Sequence, residues 1–271
     1  MKRKLSVPTN RIKSPIAKFA FALINLLSKS KSGQTFLTLT TLFTVNQSRS
    51  TKMRDEVIDF AFVSDTWLTK RFTDVENLEP DTLSWIDSFE EQSVLWDIGA
   101  NIGGYSIYAA KAKNSQVIAF EPSPFNLEFL ARNIWLNSLE KNITVIPIAL
   151  SEFTASAPFR MSQTEWAGSH SNFGEGDTPV TDYFTYPTIG IPIDLVSSVF
   201  NLPNPGYIKL DVDGIEGLIL AGGKSVLSQV KEVLVELPEG KSEQELVIAC
   251  LSQAGLHKQK LARHNEIWVR D

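Results

Sequence analysis

Residues 94–106 read VLWDIGANIGGYS, and this stretch decides the fold. An apolar run with the length of a buried strand leads into a turn that carries Gly99, Gly103 and Gly104. A helical pattern follows over residues 103–113. Glycine adopts left-handed backbone angles at little steric cost, so it suits a sharp change from strand to helix. The stretch therefore predicts a strand–turn–helix unit whose backbone can approach a ligand closely.

Strand-like and helix-like segments alternate after residue 92. The predicted strands are 93–98, 116–120, 143–149, 206–210, 231–237, 256–261 and 266–270, and the predicted helices between them are 103–113, 124–138, 215–227 and 243–254. This alternation predicts an α/β fold with a mostly parallel, doubly wound sheet of seven strands. The last two strands are joined by only a few residues, which predicts a C-terminal antiparallel hairpin.

The predicted domain boundary lies near residue 55. Residues 1–54 are expected to form a basic N-terminal helix and a linker, and residues 55–271 a single ligand-binding domain. An insert at 151–205, between the third and fourth strands, is rich in Ser, Thr, Gly, Pro and aromatic residues. Long loops on a rigid sheet often bind ligands, so part of this insert is expected to cover the substrate.

The turn differs from the one that dinucleotide-binding folds use. Their fingerprint would place a glycine at position 101, where the backbone must approach a pyrophosphate. Asn101 stands there, and Asp97 adds a negative charge just before the turn. Both features oppose a bound diphosphate. A carboxylate at Asp97 instead suits the cationic amino group of an amino-acid-bearing nucleoside such as S-adenosylmethionine, unless Asp97 only caps the turn.

Glu121 follows the next predicted strand, at the same edge of the sheet. A glutamate there can accept hydrogen bonds from both ribose hydroxyls, as acidic residues do in other doubly wound folds. The alternative is that Glu121 caps the helix that begins near Pro122 and Pro124. Together, the turn and Glu121 favour a site for a nucleoside without a diphosphate.

Four segments of the chain resemble the FkbM family of methyltransferases. They read WDIGANIGGYSIYAAK, AFEPSPFNLEFLARNIWLN, IKLDVDGIEGLIL and VLVELPE, and the similarity covers about residues 78–240. The resemblance implies a class I Rossmann-like methyltransferase fold, S-adenosyl-L-methionine as methyl donor, and a hydroxyl acceptor on a sugar or another secondary metabolite. The donor contacts that it implies are Asp97, Gly99, Asn101 and Gly103 on the methionine side and Glu121 at the ribose.

The candidate catalytic residues follow later strands. Asp211 directly follows the strand 206–210 and is expected to face the bound donor, because ligands bind beyond the carboxyl ends of central strands. It is the first candidate for a base that takes the proton of a hydroxyl acceptor. Glu236 either binds the acceptor, orients Asp211 or faces solvent. His170, in the insert, is either an alternative base or an exposed loop residue.

Two more acidic residues, Asp213 and Glu216, follow Asp211. Their spacing favours capping of a helix N-terminus. A Mg²⁺ site formed by Asp211 and one of these carboxylates is a possible alternative, although it is not favoured. The sequence departs from the FkbM pattern here, because family members often have glutamate where this chain has Asp213. The shorter side chain keeps the charge and reduces its reach.

The chain has one cysteine, Cys250, and three histidines in 271 residues. A single cysteine excludes an intrachain disulfide framework and a cysteine metal cluster, and the spread of the histidines disfavours a zinc site. The expected compartment is therefore the reducing cytoplasm. The sequence specifies neither the acceptor molecule nor the oligomeric state.

Charge is unevenly distributed. Residues 1–54 contain eleven Lys/Arg and no Asp/Glu, whereas the rest contains fifteen Lys/Arg and thirty-one Asp/Glu. The acidic body disfavours nucleic-acid binding. Within the basic part, the apolar segment 16–27 is too short to span a membrane and lacks the cleavage site of a secretory signal. Residues 1–31 are therefore expected to pack on the domain, to dock on a partner chain or to lie peripherally on an anionic membrane.

Three functions remain open. The leading one is an S-adenosylmethionine-dependent O-methyltransferase that acts on a carbohydrate or secondary-metabolite hydroxyl. An NAD-dependent oxidoreductase of similar topology is disfavoured by Asn101 and Asp97. The third is a non-catalytic binding module that is anchored by its basic segment.

Overall fold

The computed structural model describes residues 14–63, 79–161, 167–168, 171–174, 184–262 and 265–271. The helices are α1 (Pro15–Leu27), α2 (Lys31–Val45), α3 (Pro80–Asp87), α4 (Gly104–Lys113), α5 (Pro124–Leu136), α6 (Ile193–Phe200), α7 (Glu216–Ala221), α8 (Lys224–Leu227) and α9 (Lys241–Gln253). The strands are β1 (Ser48–Met53), β2 (Glu56–Ala61), β3 (Val94–Ile98), β4 (Gln116–Phe120), β5 (Ile143–Ile146), β6 (Ala149–Leu150), β7 (Ala155–Met161), β8 (Ser171–Phe173), β9 (Phe184–Ile191), β10 (Tyr207–Leu210), β11 (Glu232–Glu236), β12 (His257–Ala262) and β13 (Asn265–Val269).

The chain divides into two compact units, Met1–Gln47 and Ser48–Asp271. The division falls before the predicted boundary near residue 55, because β1 and β2 pair as an antiparallel hairpin within the larger unit. In the smaller unit, α1 packs against α2, which occupies much of the predicted linker. Among the helices that the structure describes, none combines the length and apolar character needed to cross a bilayer.

The α1–α2 hairpin is held by local features. The side chains of Ser14 and Ser30 cap the two helices by accepting backbone N–H groups at 3.0 and 3.1 Å. Gly33 marks a close approach, since a Cβ there would lie 2.0 Å from the carbonyl oxygen of Leu27. Of the described residues in this unit, Gly33 is the one that is buried.

The main sheet of the larger unit contains seven strands in the order β12-β13-β11-β10-β3-β4-β5. The strands from β5 to β11 run parallel, and β13 is antiparallel to both β11 and β12. The predicted fold, a doubly wound and mostly parallel seven-stranded sheet with a C-terminal antiparallel hairpin, is confirmed. The strand order reverses between β3 and β10, which is where such sheets bind ligands.

Alternate residues of the central strands face opposite sides of the sheet. Leu95 and Tyr207 belong to one apolar core, and Trp96 belongs to the core on the other face. Two charged side chains interrupt this pattern. Asp97 and Lys209 are buried at paired positions of β3 and β10. The cost of burying these charges points to a specific local role.

The insert forms a second, four-stranded sheet in the order β6-β9-β7-β8. A small core that includes Phe159, Met161 and Phe173 lies beside it. These strands are obscure in the sequence because Pro158 and Pro187, normally signals against strands, stand opposite each other in β7 and β9. The insert therefore contains a small β-sheet with its own core rather than a simple loop.

The helix predicted at 215–227 is two helices, α7 and α8, separated by Gly222 and Gly223. A Cβ on Gly222 would lie 2.5 Å from the carbonyl oxygen of Ser151. The break therefore lets the chain pass closely over the start of the insert.

Candidate functional site

The turn after β3 has the left-handed backbone that its sequence predicts. The φ angle is +82° at Gly99, +53° at Asn101 and +86° at Gly103. A Cβ on Gly99 would lie 1.9 Å from the carbonyl oxygen of Asp211, and one on Gly103 would lie 2.5 Å from Leu130 Cδ1. The two glycines thus allow the protein to pack tightly against its own turn.

A cavity of about 730 Å³, including its open mouth, lies at the carboxyl edge of the sheet. Gly99, Asn101 and Glu121 line it, together with Asp211 from the end of β10. The insert contributes Phe159, Gly168, Ser171 and Phe173 to the wall. Part of the insert therefore forms a wall of this cavity, and its role in covering a substrate stays a prediction.

Glu121 is buried directly under the turn. Its carboxylate accepts the backbone N–H of Asn101 at 2.8 Å and that of Ser123 at 2.7 Å. Burial raises the pKa of Glu121 to about 7, although these N–H groups oppose the rise. Ser123 is the N-cap residue of α5, so Glu121 organises the helix start as well as lining the cavity. Its contact with a ribose stays a prediction.

Two asparagines flank Glu121 in the cavity wall. The side-chain amides of Asn101 and Asn126 donate to the carbonyl oxygen of Gly168 at 3.0 and 3.3 Å. Their Oδ1 atoms are buried and accept no hydrogen bond from the part of the chain that the structure describes. Asn126 was not singled out in the sequence, where it reads as an ordinary residue of a helix start.

A buried lysine joins Asp97 to Asp211. Lys209 Nζ lies 2.9 Å from Asp211 Oδ2 and 3.8 Å from Asp97 Oδ1. Asp97 Oδ2 also accepts a hydrogen bond from the hydroxyl of Ser106 at 2.6 Å. Burial lowers the pKa of Lys209, but the attraction of the two aspartates outweighs burial and leaves the pKa raised. Lys209 is therefore a cation that neutralises part of the site's negative charge.

Sequence reasoning missed Lys209, although one signal was present. A lysine between Ile208 and Leu210 is unusual in an otherwise apolar, buried strand.

Burial raises the pKa of Asp97, whereas Lys209 and Ser106 lower it. Asp97 lies under the turn rather than on the cavity wall, so its contact with a donor's amino group stays a prediction, as does the role of Gly103.

Glu236, the last residue of β11, lies beside Asp211. Burial, a hydrogen bond with Asp211 and the negative charge of Asp211 raise the pKa of Glu236, and Lys209 opposes the rise. One proton can therefore be shared between two neighbouring carboxyl groups. The structure brings Asp211 and Glu236 together, and their catalytic roles stay predictions.

The two acidic residues after Asp211 have separate structural partners. Glu216 is buried, and its Oε1 accepts the backbone N–H groups of Val212 and Gly214 at 3.2 and 3.1 Å. Asp213 accepts the backbone N–H of Ser171 in the insert at 3.2 Å. Helix α7 has Ile215 as its N-cap residue and no side-chain capping bond, so the capping arrangement predicted for Asp213 and Glu216 is not formed. Glu216 instead holds the loop before α7, and Asp213 ties this loop to the insert.

Two alternatives from the sequence are His170 as the base and a Mg²⁺ site that includes Asp211. His170 lies outside the residues that the structure describes. Within the described ranges, no group of three or more His, Cys, Asp or Glu side chains is placed to hold a metal ion.

Comparison with known proteins identifies the family. Residues 97–265 match the methyltransferase FkbM domain. The chain belongs to the FkbM methyltransferase family. The predicted family is therefore confirmed, and the matched part of this FkbM protein includes the turn, Glu121, Asp211 and Glu236. Membership in this family also argues against the NAD-dependent oxidoreductase.

A relative of this FkbM protein is the hexuronic acid methyltransferase AglP of Haloferax volcanii, which is 34% identical over 173 residues. The match covers 63% of this chain and 66% of AglP, so the chain spans slightly less than two thirds of that relative.

Solved structures with a similar fold include the precorrin-6y C5,15-methyltransferase of Geobacter metallireducens, with a TM-score of 0.42 and 15% identity. That match covers 71% of this chain and 87% of the other. Another is TYW2 of Pyrococcus horikoshii in complex with MeSAdo, with a TM-score of 0.43, 13% identity and coverage of 82% and 69%.

Proposed function

We propose that this FkbM protein transfers the methyl group of S-adenosyl-L-methionine to a hydroxyl of a carbohydrate. The observation that carries the proposal is the cavity at the switch point of the sheet, which joins the turn and Glu121 to the carboxylate of Asp211. Family membership supports methyl transfer. The relative AglP, a hexuronic acid methyltransferase, supports a sugar acceptor and specifically one that carries a carboxylate.

The unpaired side-chain oxygens in the cavity wall support the donor. Asn101 Oδ1 and Asn126 Oδ1 are buried, beside Glu121, and none of the described residues donates to them. Ribose hydroxyls and the adenine amino group are hydrogen-bond donors, whereas a pyrophosphate has acceptors only. A wall of acceptors therefore fits an adenosyl group and opposes a pyrophosphate at the same place. The aromatic rings of Phe159 and Phe173 supply apolar surface for a base.

When bound, S-adenosyl-L-methionine supplies the electrophilic methyl carbon, which bonds to the acceptor oxygen as its bond to sulfur breaks and the bonding electron pair stays on sulfur. The cavity contributes by aligning the acceptor oxygen with that carbon. The carboxylate of Asp211 accepts the proton that the hydroxyl loses. Such positioned base catalysis contributes about 10²- to 10⁴-fold to a rate.

Lys209 and Glu236 prepare Asp211 for this role. The ammonium group of Lys209, 2.9 Å from Asp211 Oδ2, favours the ionised form that can accept a proton. The raised pKa of Glu236 keeps that neighbour protonated, so it donates a hydrogen bond to Asp211. The cation and the neutral acid together hold the carboxylate in one orientation.

The test compares Asp211→Asn with the wild type in donor binding and in transfer. Titration calorimetry is expected to show similar affinity for S-adenosyl-L-methionine, while the transfer rate falls about 10²-fold or more. Asp55→Asn, at an exposed residue between β1 and β2, is the matched control and is expected to change neither quantity. An unchanged rate in Asp211→Asn would exclude Asp211 as the base. Tight binding of NADH without binding of S-adenosyl-L-methionine would overturn the proposed function.

The acceptor is identified with labelled donor and a panel of hexuronic-acid glycans, neutral glycans and small-molecule alcohols. The expected substrates are the hexuronic-acid glycans. The panel is run with and without EDTA, because a rate that depends on added Mg²⁺ would assign Asp211 to a metal site instead of proton transfer.

A further inference from the structure

The α1–α2 hairpin exposes an unusual number of large apolar side chains. Ile16, Phe19 and Leu26 of α1 are 82%, 72% and 64% exposed, and Phe36, Leu39 and Phe43 of α2 are 57%, 61% and 70% exposed. A soluble protein rarely presents a contiguous apolar surface unless something covers it. The hairpin therefore has the character of a binding surface.

The polar groups of α2 are arranged for an apolar environment. Every threonine of this helix donates its hydroxyl hydrogen to the carbonyl oxygen four residues earlier, at 2.8 to 3.1 Å: Thr35, Thr38, Thr40, Thr41 and Thr44. A hydroxyl that is satisfied inside its own helix needs no water. Since unpaired donors are costly in lipid, this arrangement lets the helix enter the membrane interface.

The charge of the segment identifies the surface that it fits. Residues 1–47 contain eight Lys/Arg and no Asp/Glu, in contrast to the acidic remainder of the chain. Lys18, Lys29 and Lys31 are exposed on the hairpin itself. A surface that is both apolar and exclusively basic complements a bilayer with anionic headgroups, because each lysine near such a surface is attracted to it.

The length of the helices determines how they can lie. With 13 and 15 residues, α1 and α2 are about 20 and 22 Å long, well short of a hydrocarbon core of about 30 Å. We infer that the hairpin is a monotopic anchor whose apolar side chains insert into the interface of an anionic bilayer. This extends the membrane alternative for residues 1–31 to the whole of α2, and it does not depend on the methyl-transfer chemistry.

The test measures binding of the full chain to vesicles by flotation. One set of vesicles contains phosphatidylcholine alone and the other also contains phosphatidylglycerol. The wild type is expected to bind the second set preferentially and to dissociate as salt rises. The double variant Phe19→Asp/Phe43→Asp is expected to bind at least about tenfold more weakly. Phe153→Asp, at a 69% exposed residue outside the hairpin, is the matched control and should bind like the wild type.

A second variant, Lys29→Gln/Lys31→Gln, changes exposed residues that support no core and is expected to reduce binding roughly tenfold. The proposal is overturned if the wild type binds neither vesicle, if it binds both equally, or if the phenylalanine variant binds like the wild type. A further outcome would also overturn the proposal: the wild type does not bind vesicles but self-associates, and the phenylalanine variant does not self-associate. The hairpin would then bind a second copy of this chain.

Discussion

Replacement of Lys209 by Met removes one charge while keeping a similar volume. In the wild type, Lys209 is 2% exposed and is the cation between Asp97, which is 1% exposed, and Asp211. The variant leaves a buried carboxylate without its ion pair at the centre of the sheet. Removing one partner of a buried ion pair typically costs about 3–5 kcal/mol, and we expect a loss in this range at pH 8.

The loss is expected to depend on pH. Without Lys209, the pKa of Asp97 in the folded state rises further above its unfolded value of about 3.9. The folded variant then binds more protons than the unfolded chain, so its stability falls as pH rises from about 4. The difference between variant and wild type should therefore be small near pH 4 and largest toward pH 8.

Urea unfolding, followed by circular dichroism at several pH values, measures this difference. The matched control is Lys231→Met, which breaks the 2.7 Å ion pair with Glu90 at a position where both side chains are more than half exposed. That change is expected to cost less than about 1 kcal/mol at every pH. A loss at Lys209 that equals the loss at Lys231, or that does not grow with pH, would refute the argument that Lys209 is the essential buried cation.

Three further changes test the turn and its surroundings by the same unfolding assay. Gly99→Ala is expected to lower the free energy of unfolding by about 2 kcal/mol or more, because alanine is strained at a φ of +82° and its Cβ would lie 1.9 Å from the Asp211 carbonyl oxygen. Gly104→Ala is the control, because there is open space around its new methyl group. An equal loss of stability in the two variants would contradict this prediction. The raised pKa of Glu121, about 7, means that its contribution to stability falls by about 3 kcal/mol as pH rises from 4.5 to 7, and Glu121→Gln should remove this part of the pH slope. Asn133→Ala should lower the free energy of unfolding by about 2–4 kcal/mol. Its buried amide joins β2 to the turn, because it accepts the backbone N–H of Ala61 at 2.7 Å and donates to the carbonyl oxygen of Ile102 at 2.8 Å. A loss below about 1 kcal/mol would mean that this link contributes little to stability.

Much of the fold was predictable because its signals are local. The parallel strands of the main sheet are short, mostly apolar runs, and the predicted bounds of the sheet's strands differ from the observed ones by only a few residues. Gly99 and Gly103 were recognisable because a sharp turn needs left-handed angles that other residues adopt at a cost. Glu121 was recognisable because parallel strands end at one edge, so a residue that follows β4 must lie near the turn after β3.

The insert and the α1–α2 hairpin were harder to predict. Pro158 and Pro187 obscure two strands that are stable because they pair with each other and cover a small core. The threonine-rich helix α2 resembled a linker, since threonine has a weak helix preference in isolation. Its hydroxyl bonds to the preceding turn become evident only when the helix exists.

The order of residues was sufficient to specify the strand–turn–helix unit, the parallel sheet and the family, because these depend on periodicity and on short motifs. The charge balance of the site depended on tertiary structure. Lys209 meets Asp97 only because β10 pairs with β3 in one register, and a shift of one residue would turn the lysine to the opposite face. Likewise, Glu236 reaches Asp211 only because β11 lies beside β10. Pairing between distant segments is a property of the whole sheet, and no local pattern in the sequence contains it.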